Sequence, residues 1–417
     1  MKNCFPWGLG LLSLVCSCGS NSKLLTVTVT NPADIARSKE MVEIPLSDVL
    51  KNQSENTSKV FKIVDGQKNE VAYQITHDGK VIFPINLQPK AESTFYISKG
   101  QPSEVETLVC GDRYPSRLDD LAWENDVVGF RVYGPALQKS GERGFGYDLF
   151  TKRDTSKPML KGMYDLATSP ENTQKLRELW KTDRKAAAKY SNAISYHVDK
   201  GHGMDCYAVG PTLGAGVAAL VDKGNIVYPW CYKSYEILDN GPLRFTVKLE
   251  YAPTKVNGQE VVETRHITLD LGAHLNHTSV SYTNVTENMP IVTGIALHNP
   301  NKEAVTNEKE GYMAYEDPTT GSGNGKIFVG HVFPKAVQKM EVKYFSPQEK
   351  KKRNNALGHV LSESVYAPHT SFDYYWGFAW DKAKGIKNFD EWQSYLKNFH
   401  DRMDNHLNIK IKGRKIK

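Results

Sequence analysis

Cysteine is scarce. The chain has six in 417 residues, and three of them, Cys4, Cys16 and Cys18, fall in the first twenty positions. The other three, Cys110, Cys206 and Cys231, are odd in number and have no metal-type spacing, which argues against a disulfide framework or a thiolate metal site. Cys206 and Cys231 have the option of pairing, but free thiols are the expectation. Charge of one sign is also lacking: 53 basic and 47 acidic residues leave a net charge of +6. No basic stripe interleaved with aromatics appears, so nucleic acid is not an expected partner. The run Glu349–Arg353 reads as a solvated loop. After the first twenty residues no apolar run approaches the length needed to span a bilayer. There is no internal repeat and no low-complexity segment.

The first segment is not expected to be part of the fold. Lys2 supplies a thin positive start, and Trp7 to Val15 is an apolar stretch too short to cross a membrane. Val15-Cys16-Ser17-Cys18-Gly19 resembles a bacterial lipoprotein box, and Cys18 fits it better than Cys16 because a small residue precedes it. Residues 1–18 are therefore expected to be a lipoprotein signal peptide that ends in lipid attachment at Cys18 and membrane anchoring. The polar Gly-Ser-Asn-Ser-Lys that follows lacks the acidic run that accompanies surface export, so a periplasmic location is expected.

Strand signals dominate the rest. Residues 24–100 read as a small sandwich-like module: 24–30 and 40–44 alternate with period two, and short runs at 60–64, 71–75, 81–83 and 94–97 are separated by Asp-Gly turns. Residues 101–122 are a polar link into a larger domain, taken as 101–417. There the expected strands cover 235–238, 244–251, 260–270, 277–284, 292–297, 326–333 and 337–344, with turn markers at Asn240-Gly241-Pro242 and Asn257-Gly258. Many antiparallel strands with few helices predict a mostly β fold, a large β-sandwich. One internal helix is expected over 170–190, capped by Ser169 with Pro170 at its first position. A terminal helix is capped by Asn388 and has Phe389, Trp392, Leu396, Phe399 and Met403 on its buried face. A last strand at 407–411 can join an edge.

Candidate chemistry concentrates in residues 196–220. His197, His202, Asp199, Asp205, Tyr196 and Tyr207 fall within twelve residues threaded by glycine, and acid/base work near neutral pH needs such groups. As metal ligands His197 and His202 lack the i, i+4 helical spacing and a close third partner other than Asp205, so no metal is expected. Gly210–Gly216 lacks the Lys-Ser/Thr end of a phosphate loop and sits in no dinucleotide-fold context, so no cofactor is expected. Trp123, Glu124 and Asn125 read either as a sugar-binding cluster, with an indole stacked on a pyranose, or as a buried Trp with a capped turn. Arg131 and Tyr133 share one face of the next strand, so they can line one cleft. Tyr374–Trp380, with Tyr375 and Trp376, offers a second aromatic wall or core. Arg244 can clamp a carboxylate bidentately or pair with Glu250 or Glu263. His298 in Leu-His-Asn-Pro is a lesser candidate.

Taken together, Trp123-Glu124-Asn125-Asp126 through Arg131-Val132-Tyr133-Gly134-Pro135, Tyr196-His197 through Gly203–Gly210, Asn240–Arg244 and Tyr375-Trp376-Gly377 resemble the family called domain of unknown function 4861. The resemblance extends from about Leu24 to the terminal helix. It implies a galactose-mutarotase-like antiparallel β-supersandwich and a setting of polysaccharide degradation in Gram-negative bacteria. It further implies action on an anionic, hexuronate-bearing oligosaccharide by β-elimination, as a dehydratase or lyase that leaves a 4,5-unsaturated uronyl end. On that reading His197 or His202 is the base and Tyr207 or Tyr133 the acid. Arg131 or Arg244 neutralises the carboxylate, and Trp123 and Asn125 position the sugar. Rival readings are a sugar epimerase or mutarotase with Glu124, Asp205 or Glu250 as base, a glycoside hydrolase, and a non-catalytic glycan-binding lipoprotein.

Overall fold

The fold is that of a computed structural model, which describes residues 23–51, 60–153, 157–300 and 304–413. The expected leader and Cys18 lie outside the described residues. Among these residues no helix is long and apolar enough to cross a membrane.

The first strands build a two-sheet sandwich. Strand Lys23–Thr30 pairs with Glu92–Lys99, which continues through Phe61–Val64 to Glu70–Val71. The facing sheet holds Arg37–Pro45, Lys80–Leu87 and Gln74–Ile75. Alternation does the packing: Leu25, Val27 and Val29 point inward, against a core that includes Val42, Ile44, Phe83 and Ile85. The free edge of Lys23–Thr30 is taken by the last strand of the chain, Asn408–Gly413, with Val27 opposite Ile411.

The larger part is antiparallel throughout its ladders. A nine-stranded sheet contains Tyr232–Asn240, Arg244–Tyr251, Gln259–Asp270, Leu275–Thr283, Phe372–Trp380, Ile327–Val332 and Tyr312–Asp317. A five-stranded sheet contains Ala218–Asp222, Met289–Leu297, Gly358–Tyr366 and Lys339–Tyr344. A third, of five strands, runs Cys110–Tyr114, Asp120–Glu124, Gly129–Val132, Asp148–Lys152 and Gly203–Asp205. One hydrophobic core joins them, with Trp123, Phe130, Tyr147, Phe245 and Trp376 at its centre. The fold is thus mostly β and antiparallel, as the strand pattern predicts, and is the supersandwich that the family resemblance implies. Arg265 is one of several charged side chains in this interior. Buried on Gln259–Asp270, it pairs with Glu263 and meets the Tyr147 hydroxyl at 3.2 Å.

The helices differ from expectation. The stretch expected as one helix is two, Pro170–Thr182 and Arg184–Ile194, and Leu160–Thr168 precedes them. Asp183 makes the break: its backbone is extended and its carboxylate accepts from the Lys185 and Ala186 N–H groups, so it starts a new helix. The terminal helix is Phe389–Asp404, with the Asn388 side chain accepting from the Glu391 N–H at 2.9 Å. The Glu349–Arg353 run is not a loop. Pro347–Lys352 is a short helix closed by a capping box between Ser346 and Glu349. Cys110, Cys206 and Cys231 are free thiols.

Candidate active site

The three larger sheets all send chain to one cleft of about 480 Å³. Its floor starts on Gly129–Val132, where Arg131 sits opposite Asp148 on the neighbouring strand. The guanidinium meets three carboxylates: Nε donates to Asp148 at 2.9 Å, Nη2 to Asp205 at 2.7 Å, and Nη1 lies 3.4 Å from Asp120. All four side chains are buried. Asp205 reaches this point because Gly203 lets its strand press on Asp148–Lys152: at φ +123°, a Cβ there would come within 1.9 Å of the Thr151 carbonyl oxygen.

Arg117 adds a second guanidinium, its Nε 3.8 Å from Asp120, so two guanidinium groups face three carboxylates. Burial, above all, pushes Asp120 up to about 7, with the Asp148 charge adding to it and Arg131 and Arg117 pulling the other way. Burial and then Asp148 push Asp205 up as well, against the pull of Arg131 and His197. Tyr133 is held by the same group, its hydroxyl donating to Asp148 at 2.9 Å and its ring 5.0 Å from the Arg131 guanidinium.

Two histidines stand over this floor, each beside a carboxylate. His197 has Nδ1 3.1 Å from the Asp205 carbonyl oxygen and 3.4 Å from its carboxylate, and its side chain is 57 % exposed. His298, at the end of Met289–Leu297, places Nδ1 2.6 Å from the buried Asp317 carboxylate, with its own side chain only 19 % exposed. That bond puts the proton on Nδ1 and leaves the Nε2 lone pair available, the orientation a general base needs. Tyr207 packs edge-on against His298 with ring centres 5.7 Å apart. Its hydroxyl is buried and has no protein partner among the described residues. Burial first, then the Asp317 charge, hold its pKa well above the ordinary phenol value, so it stays a proton donor.

The rim is basic. Arg117 donates from Nε to the Tyr196 hydroxyl at 2.5 Å. Arg143 is exposed and makes no ion pair among the described residues. Arg353 donates from Nη1 to the Pro211 carbonyl at 2.5 Å, while its buried Nε has no partner there. No group of three His, Cys, Asp or Glu side chains among the described residues is placed to hold a metal.

Of the residues singled out from sequence, the cleft brings together His197, Asp205, Tyr207, Tyr133 and Arg131. The last two are already engaged by Asp148, which removes Arg131 as a clamp for a substrate carboxylate. His202 does not line the cleft; its carbonyl accepts from the Arg153 N–H in a turn that Asp199 organises. Trp123 is core: fully buried, it donates from its indole to Asn276 at 2.8 Å and stacks on Phe130 and Phe245. Glu124 is also buried, bonded to Lys152 at 2.7 Å and to the N–H groups of Met159 and Leu160. Asn125 pins a turn, donating to the Asp270 and Ala273 carbonyls and accepting from Val127 and Val128. Arg244 closes on Asp270 and Glu43 rather than on Glu250 or Glu263, tying the small sandwich to the nine-stranded sheet. Trp376 stacks on Tyr147 at 4.0 Å in the core, and Tyr375 packs against Phe399 under the terminal helix.

Sequence reasoning undervalued His298 and missed Asp317, Arg117, Arg143 and Arg353. Only the position of His298 at a strand end, before Asn299-Pro300, hinted at a site. Its orienting carboxylate lies 19 residues further on, at the end of a strand in a different sheet.

The residues 29–409 match the family described as Domain of unknown function (DUF4861). A relative named Uncharacterized protein P7, from Formosa agariphila, is 26% identical over 418 residues, covering 96% of each chain. Among solved structures, a protein in the glycosyl hydrolase family 38 from Enterococcus faecalis superposes on 94% of this chain with a TM-score of 0.48 and 7% identity. An alpha-mannosidase from Enterococcus faecalis V583 superposes on 94% with a TM-score of 0.47 and 8% identity. The chain spans about half the length of those two structures, 48% and 46%. Likeness at this level says nothing of what this chain acts on.

Proposed function

The chain belongs to the DUF4861 family, and we propose that it is a carbohydrate-active enzyme that performs β-elimination on a hexuronate-bearing oligosaccharide. The observation that carries this reading is the pairing of a carboxylate-oriented His298 with a Tyr207 hydroxyl that has no partner among the described residues, beneath a basic rim. Elimination needs three things at once. The sugar carboxylate must be neutralised so that the C5–H becomes acidic, which Arg143 and Arg353 can do. A base must take that proton, which falls to His298 Nε2. An acid must protonate the oxygen leaving C4, which falls to Tyr207. The C5–H electron pair then forms the C4–C5 double bond as the C4–O bond breaks. The departing group leaves as water if O4 is free, or as a sugar if O4 is glycosidic. His197 supports the reaction by hydrogen bonding to the ring substituents, while Asp205 orients it.

The rival readings find less support. A hydrolase uses two carboxylates flanking the scissile bond, and of the two that line the cleft, Glu142 and Asp205, the second is bonded to Arg131. Of the bases named for an epimerase, Glu124 is buried under Lys152 and Glu250 pairs with Lys248. The deciding experiment incubates the purified chain with oligogalacturonides, oligoglucuronides and alginate oligomers and follows mass and ultraviolet absorbance. Loss of one water from an intact oligomer means dehydration, and cleavage with an unsaturated end means a lyase. Cleavage without unsaturation, or no change at all, overturns the reading. Lipid anchoring at Cys18 on the periplasmic side is part of the same proposal, and Cys18→Ala should move the protein from the membrane fraction to the soluble one.

A further inference from the structure

A line of aromatic rings leaves the cleft along its basic rim. The Arg353 guanidinium lies over the Tyr228 ring at 4.1 Å. Tyr228 is 5.7 Å from Phe145, and Phe145 is 6.0 Å from Trp230. The rings are tilted by 39° and 41° to their neighbours, so they do not cover one another face to face. Phe145 directly follows Arg143 and Gly144, which line the cleft as Arg353 does, so strip and cleft share a wall. Trp230, at the far end, is 53 % exposed. The core uses its tryptophans differently: Trp123, Trp376, Trp380 and Trp392 are all fully buried. An indole half in water next to two more rings is an exposed apolar surface of the kind that marks a binding groove.

We propose that Phe145 and Trp230, joined to the cleft through Tyr228 and the Arg353 guanidinium that covers it, form a second binding surface on which the pyranose rings beyond the reacting uronate lie. This rests on the cleft being the uronate site. The chemistry of a sugar ring suits the strip: its axial C–H face is weakly positive and apolar, which matches the negative face of an aromatic ring. Its hydroxyls stay at the edge, within reach of water, Glu142 and Arg143. Such a surface reads ring shape rather than charge, so it takes neutral or uronic sugars alike. Affinity then grows with oligomer length, and binding energy gathered away from the reacting bond becomes available to position it.

The test measures affinity by calorimetry for uronate oligosaccharides of two to six sugars, on the wild-type chain and on Trp230→Ala and Trp230→Phe. The expected result is tighter binding with length in the wild type. Trp230→Ala should weaken the longest oligomers by about tenfold while leaving the disaccharide unchanged, and Trp230→Phe should restore most of the loss. Because Trp230 is exposed, folding is not at stake; matched thermal midpoints confirm this. Equal affinities at all lengths, or an equal loss at all lengths, overturn the proposal. The two readings separate cleanly. Length-dependent binding without elimination keeps the strip and removes the reaction, whereas elimination without length dependence does the reverse. No binding by any oligomer removes both.

Discussion

The corner at Trp123–Asn125 and the cleft around His298 are both rich in polar and aromatic side chains, yet they are built to opposite ends. At the corner every polar group meets a protein partner: Glu124 takes Lys152 and two backbone N–H groups, Asn125 uses both ends of its amide, and the Trp123 indole finds Asn276. In the cleft the partners stop one step short. Among the described residues His298 is bonded through one ring nitrogen only, the buried Tyr207 hydroxyl has no partner, and Arg353 Nε has none. Buried polar groups are normally satisfied, and satisfaction, rather than polarity itself, is what differs between this corner and this cleft.

The comparison breaks most sharply at His298. His298→Ala should lower elimination by about 10²–10⁴-fold while costing about 1–3 kcal/mol of stability, because the buried Asp317 loses its imidazole partner, measured by ultraviolet absorbance and urea unfolding. Retained activity would return the base role to His197. Glu124→Ala should do the opposite. It leaves the buried Lys152 charge uncompensated, at a cost of about 3–5 kcal/mol in unfolding free energy, and any activity loss should follow the loss of folded protein. Tyr207→Phe should reduce turnover by about 100-fold while stability holds within about 1 kcal/mol or rises; a large destabilisation would show that the hydroxyl has a structural partner after all.

The smallest effect is on the pH profile of stability. Asp120 is raised from 3.8 to about 7 in the folded chain. Between about pH 4 and 7 the folded protein therefore keeps a proton that the unfolded chain releases. The stabilisation is present at the acid end of that window and is lost as pH rises through it. Asp120→Asn should flatten that slope in urea midpoints taken across the window, and an unchanged slope would mean that Arg131 keeps Asp120 ionised.

The strands were legible in the sequence because alternation and Asn-Gly or Asp-Gly turns act locally; Gln259–Asp270 and Arg244–Tyr251 follow directly from their pattern. The helix break at Asp183 was misread because an aspartate can sit within a helical stretch or begin a helix, and the distinction lies in its backbone angle. Half of the cleft was legible as well, since His197, Asp205 and Tyr207 share one segment. The other half was not. Asp317 reaches it from a strand end and Arg353 from the end of the short helix Pro347–Lys352, and the pairing of Asp148 with Arg131 is a cross-strand register. The aromatic and polar corner at Trp123 misled for a related reason: a buried tryptophan and a sugar-stacking one have the same neighbours in sequence, and only burial tells them apart.

The seam between Lys23–Thr30 and Asn408–Gly413 bears on the order in which the molecule is made. A ribosome releases the first of these strands long before the second, so one edge of the small sandwich waits for its partner while more than 370 residues are added. An open strand edge is a template for pairing with another chain. Shielding that edge until residues 408–413 have been made is thus a demand this topology places on the cell that produces it.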